Sequence, residues 1–176
     1  MTPLLLPTQS VYLPSQAVLV EASHPGDLVV THLGEVVREV RCGRPGLVDL
    51  GELSVGGYGV AQPSTGASSA VQVCASASDR LRYGFVDSFR PGKDVEAVAR
   101  FARRLHLTGI QFYDWAYRHA DLLGGGEEYH DALDQPISLA NVRALVEALR
   151  EAGTRSIGYA AVYGVGNDEW EQWEDA

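Results

Sequence analysis

Residues 110–119 read IQFYDWAYRH. Within seven positions, 113–119, they gather aromatic rings, a carboxylate, a guanidinium and an imidazole. Asp114 stands beside Trp115, and that pair suggests a chemistry. A carboxylate accepts paired hydrogen bonds from sugar hydroxyls, while an aromatic face stacks on the apolar face of a pyranose. Arg118 and His119 add donors, and Arg118 could hold Asp114 ionised. The candidate substrate contacts are therefore Tyr113, Asp114, Trp115, Arg118 and His119. Spacing alone leaves a second reading open, in which Asp114 and Arg118 pair to pin the loop and Trp115 belongs to the core.

Other chemistries find less support. His119 and His130 with Glu127, Glu128 and Asp131 match no common metal-ligand spacing, so this stretch reads as a solvated acidic loop and no metal is expected. Ser88 lies outside a GxSxG elbow. The segment VDSFRPGKD carries neither a GxGxxG nor a P-loop pattern, and no cofactor is expected. The triple glycine at 124–126 opens no helix and reads as a flexible loop. Cys42 and Cys74 lack CxxC or Cys/His spacing and read as two small buried thiols. With a net charge of -9 and no stripe of Lys or Arg, nucleic-acid and anionic-membrane partners are excluded. No stretch approaches transmembrane length. The start, MTPLLLPTQS, has no charged n-region, and its apolar run Leu4 to Leu6 is too short for a signal peptide. As written, the chain reads as cytoplasmic, with secretion open if the N-terminus is incomplete.

Two kinds of element must position IQFYDWAYRH. Residues 1–79 are written in β pattern: VYLPSQAVLVEAS, GDLVVTHLGEVVREV, GLVDLGEL, GGYGVAQ and SSAVQVCAS, divided by Gly, Pro, Ser and Thr clusters. Five or so short strands of this kind predict a β-sandwich, with Pro7 and Pro14 at edges or turns and 63–69 as a hairpin loop. Near residue 80 the pattern changes. RYGFV predicts a strand over 82–86, and Asp94 can cap a helix with Val95, Val98, Ala102 and Leu105 on one face. A second strand is expected over 109–115. A long polar loop then reaches Ser138, the cap of a second helix with Val142, Leu145, Val146 and Leu149 facing the sheet. Gly153 stops that helix, and a third strand follows over 156–163. Strand, helix, strand, helix, strand predicts a parallel array in the order 1-2-3, in either a doubly wound sheet or a (β/α)8 barrel, and the missing phosphate-binding fingerprint argues against the first. Polar and aromatic residues collect after the second strand's C-terminal end, where a (β/α)8 barrel builds its active site. On that strand Gln111, Tyr113 and Trp115 should face the barrel axis, and Ile110 and Phe112 the helices.

Four segments, RYGFVDSF, GIQFYDWAYRH, ISLANVRALVEALREAG and YAAVYG, resemble glycoside hydrolase family 66 in order and spacing. The likeness covers residues 80–165 strongly. Residues 1–79 are more loosely similar to the family's immunoglobulin-like N-terminal domain. Two positions depart from the family pattern: Asp87-Ser88-Phe89 stands where Ser-Asp-Phe is common, and Asp134-Gln135 where Gly-Arg is frequent. The resemblance implies retaining hydrolysis or transglycosylation of α-1,6-glucan, the dextran and isomaltooligosaccharide class. That chemistry needs two carboxyl groups about 5 Å apart, which the family carries on later strands. No catalytic residue is therefore assigned within this chain, and Asp114 is a substrate-positioning candidate.

A closed barrel takes about 250 residues, so residues 80–176 are expected to form three strands and two helices of a truncated one. The chain then reads as the N-terminal fragment of a longer enzyme, inactive by itself. The alternatives are a stand-alone carbohydrate-binding or interaction protein, and a different (β/α)8 enzyme that depends on a metal.

Overall fold

The computed structural model describes residues 2–161 and 169–173. The first part of the chain forms β1 (Leu5–Pro7), β2 (Leu19–Ala22), β3 (Leu28–His32), β4 (Glu35–Val40), β5 (Gly46–Asp49), β6 (Gly56–Gln62) and β7 (Ala67–Val73). Alternation puts Leu28 and Val30 of β3, and Tyr58, Val60 and Gln62 of β6, on a buried face. Two antiparallel sheets result, ordered β1-β2-β5 and β4-β3-β6-β7. Leu5, Val20 and Val48 from the first share one buried cluster with Val30, Val60, Val71 and Val73 from the second. Burying both inner faces on each other is what makes such short strands stable.

Seven strands stand where five or so are expected. The segment 26–40 folds back on itself as two strands, and the apolar run at the N-terminus supplies β1. That strand is too short for its alternation to register in sequence. It lies at a sheet edge, where a proline such as Pro7 breaks no ladder. The loop expected over 63–69 is a turn over 63–66, with the rest taken up by β7. Cys42 and Cys74 are buried free thiols.

The second part comprises β8 (Tyr83–Val86), α1 (Val95–Leu105), β9 (Gly109–Phe112), β10 (Glu128–His130), β11 (Pro136–Ser138), α2 (Leu139–Glu151), β12 (Arg155–Gly158) and the single turn α3 (Trp170–Trp173). Strands β8, β9 and β12 are parallel, with β9 central, which is the expected order. Asp94 Oδ1 accepts from the Ala97 amide at 2.9 Å, and Ser138 Oγ from the Asn141 amide at 3.5 Å. Both predicted helix starts are thus satisfied by side-chain caps. Gly153, at φ 72°, ends α2 in the left-handed conformation that glycine adopts without a Cβ clash.

Val86, Ile110, Phe112, Val142, Leu145 and Leu149 form a separate buried cluster between sheet and helices. On the other face of the sheet Phe85 is 72% exposed and Ile157 37%. The two parts of the chain meet through a buried contact of Ser10 Oγ with Thr154 Oγ1 at 3.0 Å, and through Arg103 with Glu21 at 3.3 Å.

Four expectations need correction. The second strand ends at Phe112 instead of residue 115, because the backbone turns left-handed at Asp114 (φ 51°). The third ends at Gly158 instead of 163; residues 162 and 163 lie outside the described residues. Val146 is 40% exposed and does not face the sheet as Leu145 does. At 3.6 residues per turn it falls on the flank of the stripe set by Val142, Leu145 and Leu149. The long loop before Ser138 contains the antiparallel pair β10 and β11, in which Tyr129 lies opposite Ile137 and both are buried.

Candidate functional site

The site forms where β8, β9 and β12 end at their C-terminal tips. Past the end of β9 the ladder makes one last bond, from the Tyr113 amide to the Val86 carbonyl at 2.8 Å. Asp114 then reverses the local twist. An aspartate tolerates the left-handed region better than most residues, because its short side chain can bond locally or point to solvent. The reversal changes which way Trp115 faces. Strict alternation would put its ring with Gln111 and Tyr113, whereas it packs against the helix-side cluster. Its indole Nε1 donates to the Tyr159 carbonyl at 2.9 Å, tying the end of β9 to the segment after β12. The Tyr113 and Tyr159 rings stack at 4.8 Å across the same junction.

An aromatic and glycine scaffold supports the loop that follows. Tyr129 donates its hydroxyl to the Trp115 carbonyl. Its ring meets Tyr117 edge-on at 5.7 Å. The Arg118 guanidinium lies over the Tyr117 ring at 4.3 Å and donates to the carbonyls of Tyr117 and His130. Gly125, the middle of the triple glycine, is part of this packing: a Cβ there would come within 2.6 Å of both Tyr117 and Tyr129. The stretch read from sequence as a loop is one, and at Gly125 its backbone closely approaches two rings.

These elements enclose a cavity of about 250 Å³ lined by Tyr113, Asp114, Trp115, His119, Asp131 and Tyr159, with apolar residues between them. Ligand pockets start at roughly 300 Å³, so this one suits a single ring or one wall of a longer groove. Four of the five sequence candidates meet here. Arg118 lies outside the lining and fastens the loop that carries His119.

The Asp114 carboxylate has no hydrogen bond or ion pair to another described residue, so the loop-pinning pair with Arg118 is not formed. Its pKa is raised above the ordinary aspartate value. Burial is the largest cause, the negative charges of Asp131 and Asp87 add to it, and His119 opposes it. An acceptor held in this way gains by taking a hydrogen bond from a ligand.

Sequence reasoning missed Asp131, assigning it to a solvated acidic loop. The residue is only 4% exposed. Its Oδ1 accepts from the amides of Leu133 at 2.9 Å and Gln135 at 2.8 Å. This is an Asx-type turn, and Asp134, at φ 60°, takes the left-handed position within it. The readable signal was the turn-forming spacing of Asp131 and Asp134 just before an apolar strand. Among the described residues no group of three His, Cys, Asp or Glu gathers closely enough to hold a metal ion.

Comparison with known proteins gives three likenesses. Residues 56–175 match the profile of glycosyl hydrolase family 66. The cycloisomaltooligosaccharide glucanotransferase of Niallia circulans is 25% identical over 105 residues, 54% of this chain and 11% of that protein. The crystal structure of a Paenibacillus sp. cycloisomaltooligosaccharide glucanotransferase complexed with cycloisomaltoheptaose superposes with a TM-score of 0.71 at 20% identity. That match covers 98% of this chain and 29% of the other. The chain therefore spans about a tenth of the first relative and under a third of the second.

Proposed function

This chain belongs to glycosyl hydrolase family 66, and from that premise we propose that it is the N-terminal part of a retaining hydrolase or transglycosylase acting on α-1,6-glucan. In this reading residues 1–79 are an immunoglobulin-like β-sandwich, and 80–176 begin a (β/α)8 barrel. The uncovered sheet face bearing Phe85 and Ile157 would then be the barrel interior, filled when further strands close the sheet. The observation that carries the proposal is the cavity at the C-terminal strand tips, where barrels place their active sites. It brings Tyr113, Asp114, Trp115 and His119 together from a segment singled out for sugar contact.

Asp114 would accept hydrogen bonds from sugar hydroxyls, with His119 as a neighbouring donor. Tyr113, which is 44% exposed, offers a ring face to a pyranose. Arg118 would act through the loop it holds. The nucleophile and the general acid/base, about 5 Å apart in a retaining enzyme, would come from strands beyond this chain. The relative crystallised with cycloisomaltoheptaose supports an oligosaccharide as the substrate.

The test compares the 176-residue chain with the same chain extended in its own reading frame, each incubated with dextran. The extended protein should release reducing ends or cyclic isomaltooligosaccharides, and the chain alone should release neither. Release by the chain alone would overturn the placement of the catalytic carboxylates elsewhere. A reading frame that stops at Ala176, with sugar binding and no turnover, would put a stand-alone carbohydrate-binding protein in place of the enzyme.

A further inference from the structure

We propose that Asp131 is a second carboxylate contact for the bound glucan, its Oδ2 accepting a hydrogen bond from a pyranose hydroxyl on the wall that carries Asp114. The inference rests on the glucan reading above and names a residue which that reading does not use. Its starting point is an unequal carboxylate. Oδ1 is engaged by the Leu133 and Gln135 amides. Oδ2 is buried and has no hydrogen-bond partner among the described residues. Leaving a buried carboxylate oxygen unpaired is costly, and a folded protein rarely does so without a ligand or water to complete it.

The turn fixes where that oxygen sits. Besides the two amides on Oδ1, the Asp131 amide donates to the Gln135 carbonyl at 3.0 Å, and the Asp134 amide to the Asp131 carbonyl at 3.1 Å. The carboxylate is therefore held in one orientation before any ligand arrives, and Asp131 lines the same cavity as Asp114, Trp115 and His119. A preorganised acceptor loses little freedom on binding.

The chemistry of the wall selects the ligand class. Burial first, and then the negative charges of Asp131 and Asp87, disfavour the ionised Asp114, and the same neighbouring charges would repel a phosphate or carboxylate ligand. No cluster of three potential metal ligands is present among the described residues to favour a cation. A neutral polyol supplies O–H donors without adding charge. Two acceptors on one wall, that of Asp131 held by its turn, then read the orientation of two hydroxyls, which an apolar stacking surface alone cannot do.

Asp131→Asn keeps a carbonyl oxygen for the Leu133 and Gln135 amides and replaces Oδ2 with an NH2 donor. Calorimetric titration with isomaltotriose would compare the wild-type chain, Asp131→Asn and Asp114→Asn, with melting temperatures recorded alongside. Asp131→Asn should bind about tenfold more weakly or worse, the loss expected for one charged hydrogen bond, with its melting temperature unchanged. A measurement on the wild-type chain avoids dependence on the variant's folding: the Asp131 carboxyl carbon resonance should shift as isomaltotriose is added. Equal affinity in Asp131→Asn, or an unmoved Asp131 carboxyl resonance when the sugar is bound, would overturn the inference and leave Oδ2 to water. Weakened binding in Asp114→Asn alone would overturn it while sparing the glucan reading. A folded wild-type chain that binds no isomaltotriose would overturn both.

Discussion

Asp114→Asn in the proposed glucan enzyme should lower kcat/KM on dextran roughly ten- to a hundredfold, while the protein becomes no less stable. The catalytic loss follows from replacing a charged acceptor with a neutral amide of the same shape, since a hydrogen bond to a charged group contributes about 1.5–3 kcal/mol. If the contact forms equally in ground and transition states, the loss appears in KM; if it tightens only in the transition state, it appears in kcat. The stability side has a definite sign. Because burial and neighbouring charges raise the folded-state pKa of Asp114, its ionised form is disfavoured in the native protein. Stability from this group is therefore fully present below the unfolded-state value and lost as pH rises through the folded-state value. The uncharged asparagine escapes that loss. Asparagine also accepts the left-handed backbone at position 114. Melting temperatures across pH should show the variant at or above wild type near neutrality, with any advantage closing as the solution is acidified. A lower melting point with normal kcat/KM would mean that Asp114 supports the loop and does not contact substrate.

Trp115→Ala should show the opposite balance, a marked fall in stability. Like Tyr117, the ring packs against the helix-side cluster that contains Phe112, and its N–H closes the junction to Tyr159. Truncating a large, partly buried aromatic costs about 2–4 kcal/mol, or roughly 4–16 °C in Tm for a chain of this length. Trp115→Phe, which keeps a ring and loses only the donor, should cost about 1 kcal/mol. Thermal unfolding of both variants checks the order. An unchanged melting point in Trp115→Ala, with sugar binding lost, would return Trp115 to the role of a stacking platform alone.

How far the sequence reaches is clearest at individual residues. Asp94 and Ser138 marked both helix starts because capping is a local property, set by one side chain and an amide three positions on. Ile110 and Phe112 marked the buried face of β9, since alternation within a strand is local too. The reading failed where one backbone angle decided the outcome. Nothing in the letters of Tyr113, Asp114 and Trp115 says that Asp114 is left-handed, so the alternation was carried two residues too far and Trp115 was assigned to the wrong face. Asp131 was lost for a different reason. It lies among Glu127, Glu128, His130 and Asp134, a composition that reads as solvated. Its burial depends on the pairing of Tyr129 with Ile137 in strands of three residues. Such a contact is non-local and too short to leave a periodic signature.

Whether this cavity is a wall of a glucan site is tested most directly by a crystal structure of the chain with an isomaltooligosaccharide bound. A glucosyl ring should occupy the cavity between Tyr113 and His119, with a hydroxyl donating to Asp114. A sugar seated on the sheets of residues 5–73 with the cavity unoccupied would contradict this expectation.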